Sequence, residues 1–198
     1  MIAGVSVRED GLDALKRLGV KDSKLLSARR REGLYPEIKE LCESVWSVQI
    51  APDEIDRVVR AARKYRRLNY LEAVYMAKVI DRLRADEVMV DASDTIPERF
   101  RTNIVDHLHR RCEVSARHKA DRDFPAVSAA SIIAKVERDA AVSDLRQSYG
   151  DFGSGYPSDP KTRGFFIDWL RNEDSLPKFV RKSWKTWQVL QQQLLAPL

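Results

Sequence analysis

The sequence predicts an α/β protein, a mixed sheet flanked by helices and followed by a helical C-terminal segment. Three observations carry this. Ile2 to Val7, "IAGVSV", is a strand-like run broken by Arg8-Glu9-Asp10-Gly11. Val88, Met89 and Val90 form an apolar run that ends on Asp91. Between and after them strand-like and helix-like segments alternate, and the chain closes on helical patterns alone, an arrangement typical of α/β domains. A length of 198 residues fits one such domain with a helical appendage.

Taken in order, the first strand gives way to "LDALKRLGV", helical in spacing with Gly19 as its stop. Ser27 is placed to cap a helix over 28–44, with Leu34, Ile38 and Leu41 on one face and Pro36 as a weak point. "WSVQIA" alternates like a strand. Residues 52–67 and 68–84 read as two helices, and "EVMV" as the next strand. A helix over 96–111 and a strand over 112–120 follow. Residues 127–150 form a long helix that Gly150 ends. "DFGSGYPSDP" is a loop, punctuated by Gly153, Gly155, Pro157 and Pro160. Helices over 161–172 and 182–196 close the chain. There is no internal repeat.

Apolar residues make up 43 % of the chain and charged residues 33 %, so a sizeable core sits inside a strongly solvated surface. No run approaches the ~18 apolar residues of a membrane span, and the first residues lack the pattern of a secretory signal. Cys42 and Cys112 suggest neither a disulfide framework nor a zinc site. The expectation is a reduced, cytoplasmic protein. The net charge of +5 and a pI of about 9.2 are compatible with a polyanion partner without requiring one. Basic residues cluster at 29–31, 60–67 and 178–185. The last cluster interleaves Phe179 and Trp184 with cations, a mixture suited to stacking and phosphate contact, or equally to a C-terminal helix with core tryptophans.

Asp91 ends its strand, and ligands in open α/β sheets gather outside the carboxyl ends of strands. The next strand ends just before Asp121. Two carboxylates emerging at one sheet end repel unless a cation bridges them, and Mg²⁺ takes carboxylate, water and phosphate oxygens. Helix capping is the competing account of a strand-end aspartate, and it is the stronger one for Asp94, just before "TIPERF". The three-residue separation of Asp91 and Asp94 argues against a phosphoaspartyl site. His118 reads as a surface histidine, and His107 and His109 do not share a helix face. In "GSGYPSDP", Tyr156 between Gly155 and Pro157 is either an exposed aromatic able to stack on a sugar or base or the filling of a local pocket.

"LGVKDSKLLSARRR" (18–31), "VDASDTIPERF" (90–100), "HKADRDFPAVSAASIIAKVERD" (118–139), "YGDFGSGYPSDPKT" (149–162) and "VRKSWKT" (180–186) together resemble the type 2 ribonucleases H, most closely the archaeal ribonuclease HII branch. The resemblance spans essentially the whole chain, in the family's order and spacing. It implies a ribonuclease H-like α/β domain over 1–162 and a C-terminal helical segment over 163–198. It implies an endonuclease that cuts the RNA strand of RNA–DNA hybrids, and 5′ to ribonucleotides embedded in duplex DNA, with Mg²⁺ or Mn²⁺ as cofactor and a monomeric state. Asp91 and Asp121 match two of the family's four metal carboxylates. Tyr156 matches the tyrosine that packs against the sugar at the RNA–DNA junction. Lys24, in "DSK", matches a position near the substrate backbone, and Lys135, on the "SAASIIAK" helix, is expected to face phosphate.

The chain departs from the family in one respect. Met1 stands where the family's second strand begins, and no Asp-Glu-Ala-Gly-Arg-Gly segment occurs in the 198 residues. The first strand of the family, and with it two carboxylates, is therefore absent from this sequence. The expectation is a natural start further upstream; the alternatives are an inactive chain that still binds duplex as a non-catalytic nucleic-acid-binding module, and an oligomer that supplies the missing parts. For the chain as given, strongly reduced activity is expected.

Overall fold

The computed structural model describes residues 1–20, 23–61, 68–173, 175–187 and 189. Four strands occur among them: β1 (Ile2–Ser6), β2 (Ser44–Val48), β3 (Glu87–Asp91) and β4 (Glu113–Arg117). The helices are α1 (Glu9–Leu18), α2 (Ala28–Leu41), α3 (Pro52–Arg60), α4 (Leu68–Leu83), α5 (Pro97–Val105), α6 (Ala120–Asp123), α7 (Pro125–Tyr149) and α8 (Pro160–Asn172), with a 3-10 turn at Ser23–Leu25.

Local chemistry accounts for most boundaries. Gly19 takes φ 79 and ends α1, its N–H donating to Lys16 O at 3.1 Å. Ser27 Oγ accepts the Arg30 N–H at 3.2 Å and caps α2, which passes through Pro36 without ending there. The strand after it starts at Ser44 rather than Trp46. α5 stops at Val105, six residues short of the helix the sequence suggests. His107 Nδ1 lies 2.8 Å from Asn103 O, and the Asp81 carboxylate takes the His109 N–H at 3.1 Å, so the segment is turned off the helix axis before β4. β4 ends at Arg117 because Lys119 adopts φ 58 and leads into α6. Of the expected C-terminal helix, residues 185–187 and 189 are helical; 190–196, like 62–67 of the expected second helix pair, lie outside the described residues.

The described residues form two compact units. The first comprises residues 1–49 and 68–138. The class is α/β as the sequence suggests, but the strands form two separate pairs among the described residues. β1 and β2 are antiparallel, with Gly4 opposite Trp46; β3 and β4 are parallel, with Asp91 opposite Arg117. Both pairs pack against α4. Gly4 permits the approach of β1: a Cβ there would lie 2.6 Å from Leu83 Cδ1 and 2.8 Å from Val79 Cγ1. Ala73, Ala77 and Ile80 of the same helix join Val90, Phe100, Ile104 and Val114 in one buried cluster. A second cluster, with Leu15, Leu34, Ile38, Ile132 and Ile133, covers the Ala3–Val5 face of β1 with α2 and α7.

The second unit comprises residues 50–67 and 139–198, of which those described hold an aromatic core. Phe166, Leu176, Val180 and Trp187 are buried, with Phe165, Trp169, Phe179 and Trp184 packed around them. Phe152 stacks on Phe179 with ring centroids 5.6 Å apart.

Candidate active site

Because β3 and β4 are parallel, their carboxyl ends lie side by side. Asp91 closes β3, and the chain leaving β4 returns at once: Asp91 Oδ1 accepts the Ala120 N–H at 3.1 Å. Asp121 is the next residue, buried at 5 % exposure in the first turn of α6. The carbonyl of Asp121 accepts from Ser128 Oγ at 2.6 Å, which fixes α6 to the start of α7. Ser128 is 2 % exposed, a positioning hydroxyl that sequence reading passed over inside "VSAAS". One oxygen of Asp91 thus takes the backbone N–H at the start of a short helix, that of the residue next to Asp121.

Asp94 does not cap α5 directly, since the cap position is Ile96. It sits two residues earlier, 5 % exposed, with Oδ1 accepting the Ile96 N–H at 2.9 Å and Oδ2 accepting Arg99 Nε at 3.0 Å. The Arg99 guanidinium, assisted by the Ile96 N–H, holds its carboxyl below the usual range against the opposing effect of burial. His118 is exposed, with its ring nitrogens 3.3 Å from Ala92 O and 3.4 Å from Thr95 O.

Lys24 lies exposed in the 3-10 turn. That turn is tied to α7, where Ser23 Oγ and Ser131 Oγ are 2.9 Å apart, and Arg31 Nη1 donates to Ser23 O at 3.0 Å. Lys135 lies further along α7, seven residues after Ser128 and hence on the same face. Asp91, Asp121, Lys24 and Lys135 all belong to the first unit.

Tyr156 belongs to the second unit and is 45 % exposed. Its loop is held by buried chemistry. Thr162, 0 % exposed, donates to Phe152 O at 2.8 Å and accepts the Gly155 N–H at 3.0 Å. Asp159 accepts the Ser154 N–H at 2.7 Å and the Lys161 N–H at 2.9 Å, bonds that bring its pKa down to about 2. Gly153 and Gly155 take φ 75 and 77, and a Cβ on Gly153 would meet Asp159 Oδ2 at 2.5 Å. Asp159 and Thr162 are missing from the sequence reading; "SDPKT" carries them as a helix-cap signal, with Asp159 before Pro160.

The donor set decides what metal fits. No group of three or more His, Cys, Asp or Glu able to hold an ion occurs among the described residues. Asp91 and Asp121 are two hard carboxylates, the donor type that Mg²⁺ takes together with water and phosphate oxygens.

Residues 1–187 match the family model for ribonuclease HII. The chain belongs to the ribonuclease HII family. A ribonuclease HII of Methanosarcina barkeri is 39 % identical over 203 residues, spanning 98 % of this chain and 88 % of that protein. That of Thermococcus kodakarensis is 42 % identical over 186 residues, 94 % of this chain and 80 % of that one. Among solved structures, ribonuclease H2 from Pyrococcus horikoshii superposes with a TM-score of 0.86 at 32 % identity, covering 99 % of this chain and 95 % of that one. Ribonuclease HII from Archaeoglobus fulgidus, solved in complex with PCNA, gives 0.80 at 38 % identity, with 98 % of both chains covered. The family assigns the chain to the hydrolytic endoribonucleases that act on RNA–DNA hybrids. No helix among the described residues is long and apolar enough to cross a membrane.

Proposed function

We propose that this chain binds RNA–DNA hybrids and duplex DNA containing ribonucleotides, and hydrolyses the phosphodiester 5′ to the ribonucleotide with Mg²⁺ or Mn²⁺. The juxtaposition of Asp91 and Asp121 through the Ala120 N–H carries this reading. These carboxylates would hold the divalent ion, which when bound would activate water and offset charge on the reacting phosphate. The Ala120 N–H fixes the rotamer of Asp91, and Ser128 fixes the turn that presents Asp121. Tyr156 supplies an aromatic face for the ribose, on a loop braced by Thr162 and Asp159. Lys24 and Lys135 attract the phosphate backbone, so binding weakens as salt rises.

Two carboxylates give low affinity for metal, and slow cleavage follows. A second reading is duplex binding without catalysis. Both are tested by incubating a hybrid, and a duplex with one embedded ribonucleotide, with the chain in Mg²⁺ and in Mn²⁺. Binding is followed separately by fluorescence anisotropy in EDTA. Slow cleavage abolished by Asp91→Asn supports the enzyme; binding without cleavage supports the binding module. Cleavage that survives Asp91→Asn rules out the assigned site.

A further inference from the structure

The basic segment at the end of the second unit is built on a buried acid. Asp56, on α3, is 6 % exposed. Its oxygens accept two consecutive backbone N–H groups, Lys182 at 2.8 Å and Ser183 at 2.9 Å. A buried carboxylate is costly unless its oxygens are satisfied, and here main-chain donors satisfy it. The turn it grips closes on itself, with Trp184 N donating to Arg181 O at 3.4 Å. Within the turn Arg181 Nε donates to Ser183 Oγ at 3.2 Å, and its guanidinium carbon lies 5.5 Å from the Trp184 ring centroid. Lys178 and Lys185 are exposed and Lys182 is half-buried; none of the three has a salt bridge to a described carboxylate. The result is a turn held by backbone hydrogen bonds that carries Arg181, Lys182 and Lys185, with Arg181 against the Trp184 ring.

We infer that the Arg181–Lys185 turn is a contact for the phosphodiester backbone of a nucleic-acid duplex, and that Asp56 is the positioning residue that holds it in binding shape. The chemistry is that of cations on phosphate: lysines act as point charges, and an arginine laid against tryptophan loses less freedom on binding. Asp56 works through the backbone. Both of its oxygens are acceptors, whereas an amide at the same place would turn a donor toward one of the two N–H groups. The inference rests on the duplex-binding reading above and extends it to a surface in the second unit.

The sign of one substitution separates positioning from plain electrostatics. Removing an acid near a polyanion site ordinarily tightens binding. Asp56→Asn instead weakens it, by about fourfold at 200 mM salt and about fifteenfold at 50 mM, the scale of one lost phosphate contact. Asp53→Asn, an exposed acid on the same helix that pairs with Arg57 at 3.7 Å, serves as the electrostatic control and leaves binding equal or tighter. Lys182→Gln with Lys185→Gln lowers the slope of log K against log salt by about 1.8 and leaves the melting temperature unchanged. The experiment is an anisotropy titration of a labelled RNA–DNA hybrid with the full chain in EDTA, with melting curves for each variant. If the wild type binds but the double lysine variant keeps the full salt slope, the turn does not touch phosphate. If Asp56→Asn binds as tightly as the wild type or tighter, the positioning role is overturned. A wild type that binds no duplex at low salt overturns this inference together with the reading it rests on.

Discussion

Asp94 offers a quantitative test of how the strand end carrying Asp91 is held. Substituting alanine removes the acceptor for the Ile96 N–H and the partner of Arg99. The backbone bond is worth about 1 kcal/mol net. The arginine pair adds about 1 kcal/mol, below the ~1.5–3 kcal/mol of a buried charge-assisted bond, because the Arg99 side chain is 50 % exposed and water replaces much of what it loses. A total of about 2 kcal/mol corresponds to a fall of about 5 °C in Tm for a chain of this length, at roughly 2.1 cal/mol/K of unfolding entropy per residue. Its pH dependence follows from the depressed pKa of Asp94. The contribution is complete above the unfolded-state value of about 3.9 and disappears as pH falls through the lower folded-state value. Thermal unfolding followed by circular dichroism at pH 7, 5, 4 and 3 is the assay. The gap between Asp94→Ala and the wild type should be full at pH 7 and shrink below about pH 4. A difference under 1 °C at pH 7, or a gap that stays constant into strong acid, would refute the assignment of Asp94 as a charged brace.

Further outcomes concern the Tyr156 loop and the core. Thr162→Val keeps the shape but leaves Phe152 O and the Gly155 N–H without their buried partner, so unfolding in urea should show a loss of about 1–3 kcal/mol. Tyr156→Ala, at an exposed position, should leave the urea midpoint unchanged and weaken hybrid binding by about 1 kcal/mol, the low end of an aromatic stacking contribution, through loss of its face on the ribose, measured by anisotropy. With the Asp159 pKa at about 2, the bonds of this loop should persist as pH falls past the ordinary carboxylate range and fail only as it nears that value; the exchange rates of the Ser154 and Lys161 amides report it. Ile132→Ala, fully buried against Leu34 and Ile38, should cost about 2–5 kcal/mol by chemical denaturation.

What could be read in the sequence was local in origin. Gly19 and Gly150 end helices by their backbone freedom, and Ser27 caps α2 within three residues of its own position. Asp91 stands at a strand end because the apolar run stops there. The features that escaped are set by partners distant along the chain. α5 ends early because Asp81 takes His109, twenty-eight residues away. Ser23 meets Ser131, and Asp56 grips the 182–183 backbone, pairings that no periodicity encodes. Asp94 followed the capping expectation in part: it takes a helix-entry N–H, but from two residues ahead of the cap, because Arg99 one turn along draws its other oxygen. The family resemblance supplied Tyr156, Lys24 and Lys135, whose residue types alone left the choice open.

The division of the strands into two pairs has a dynamic consequence. In a continuous sheet each ladder supports the next, so interior amides open only when the whole sheet does. Here each described strand has a ladder on one side alone, and β1–β2 and β3–β4 communicate through the side chains of α4. Native-state exchange should therefore resolve two islands of slow amides with separate opening energies, and a substitution at Val79 should perturb the β1–β2 island first, since Val79 Cγ1 lies directly over Gly4.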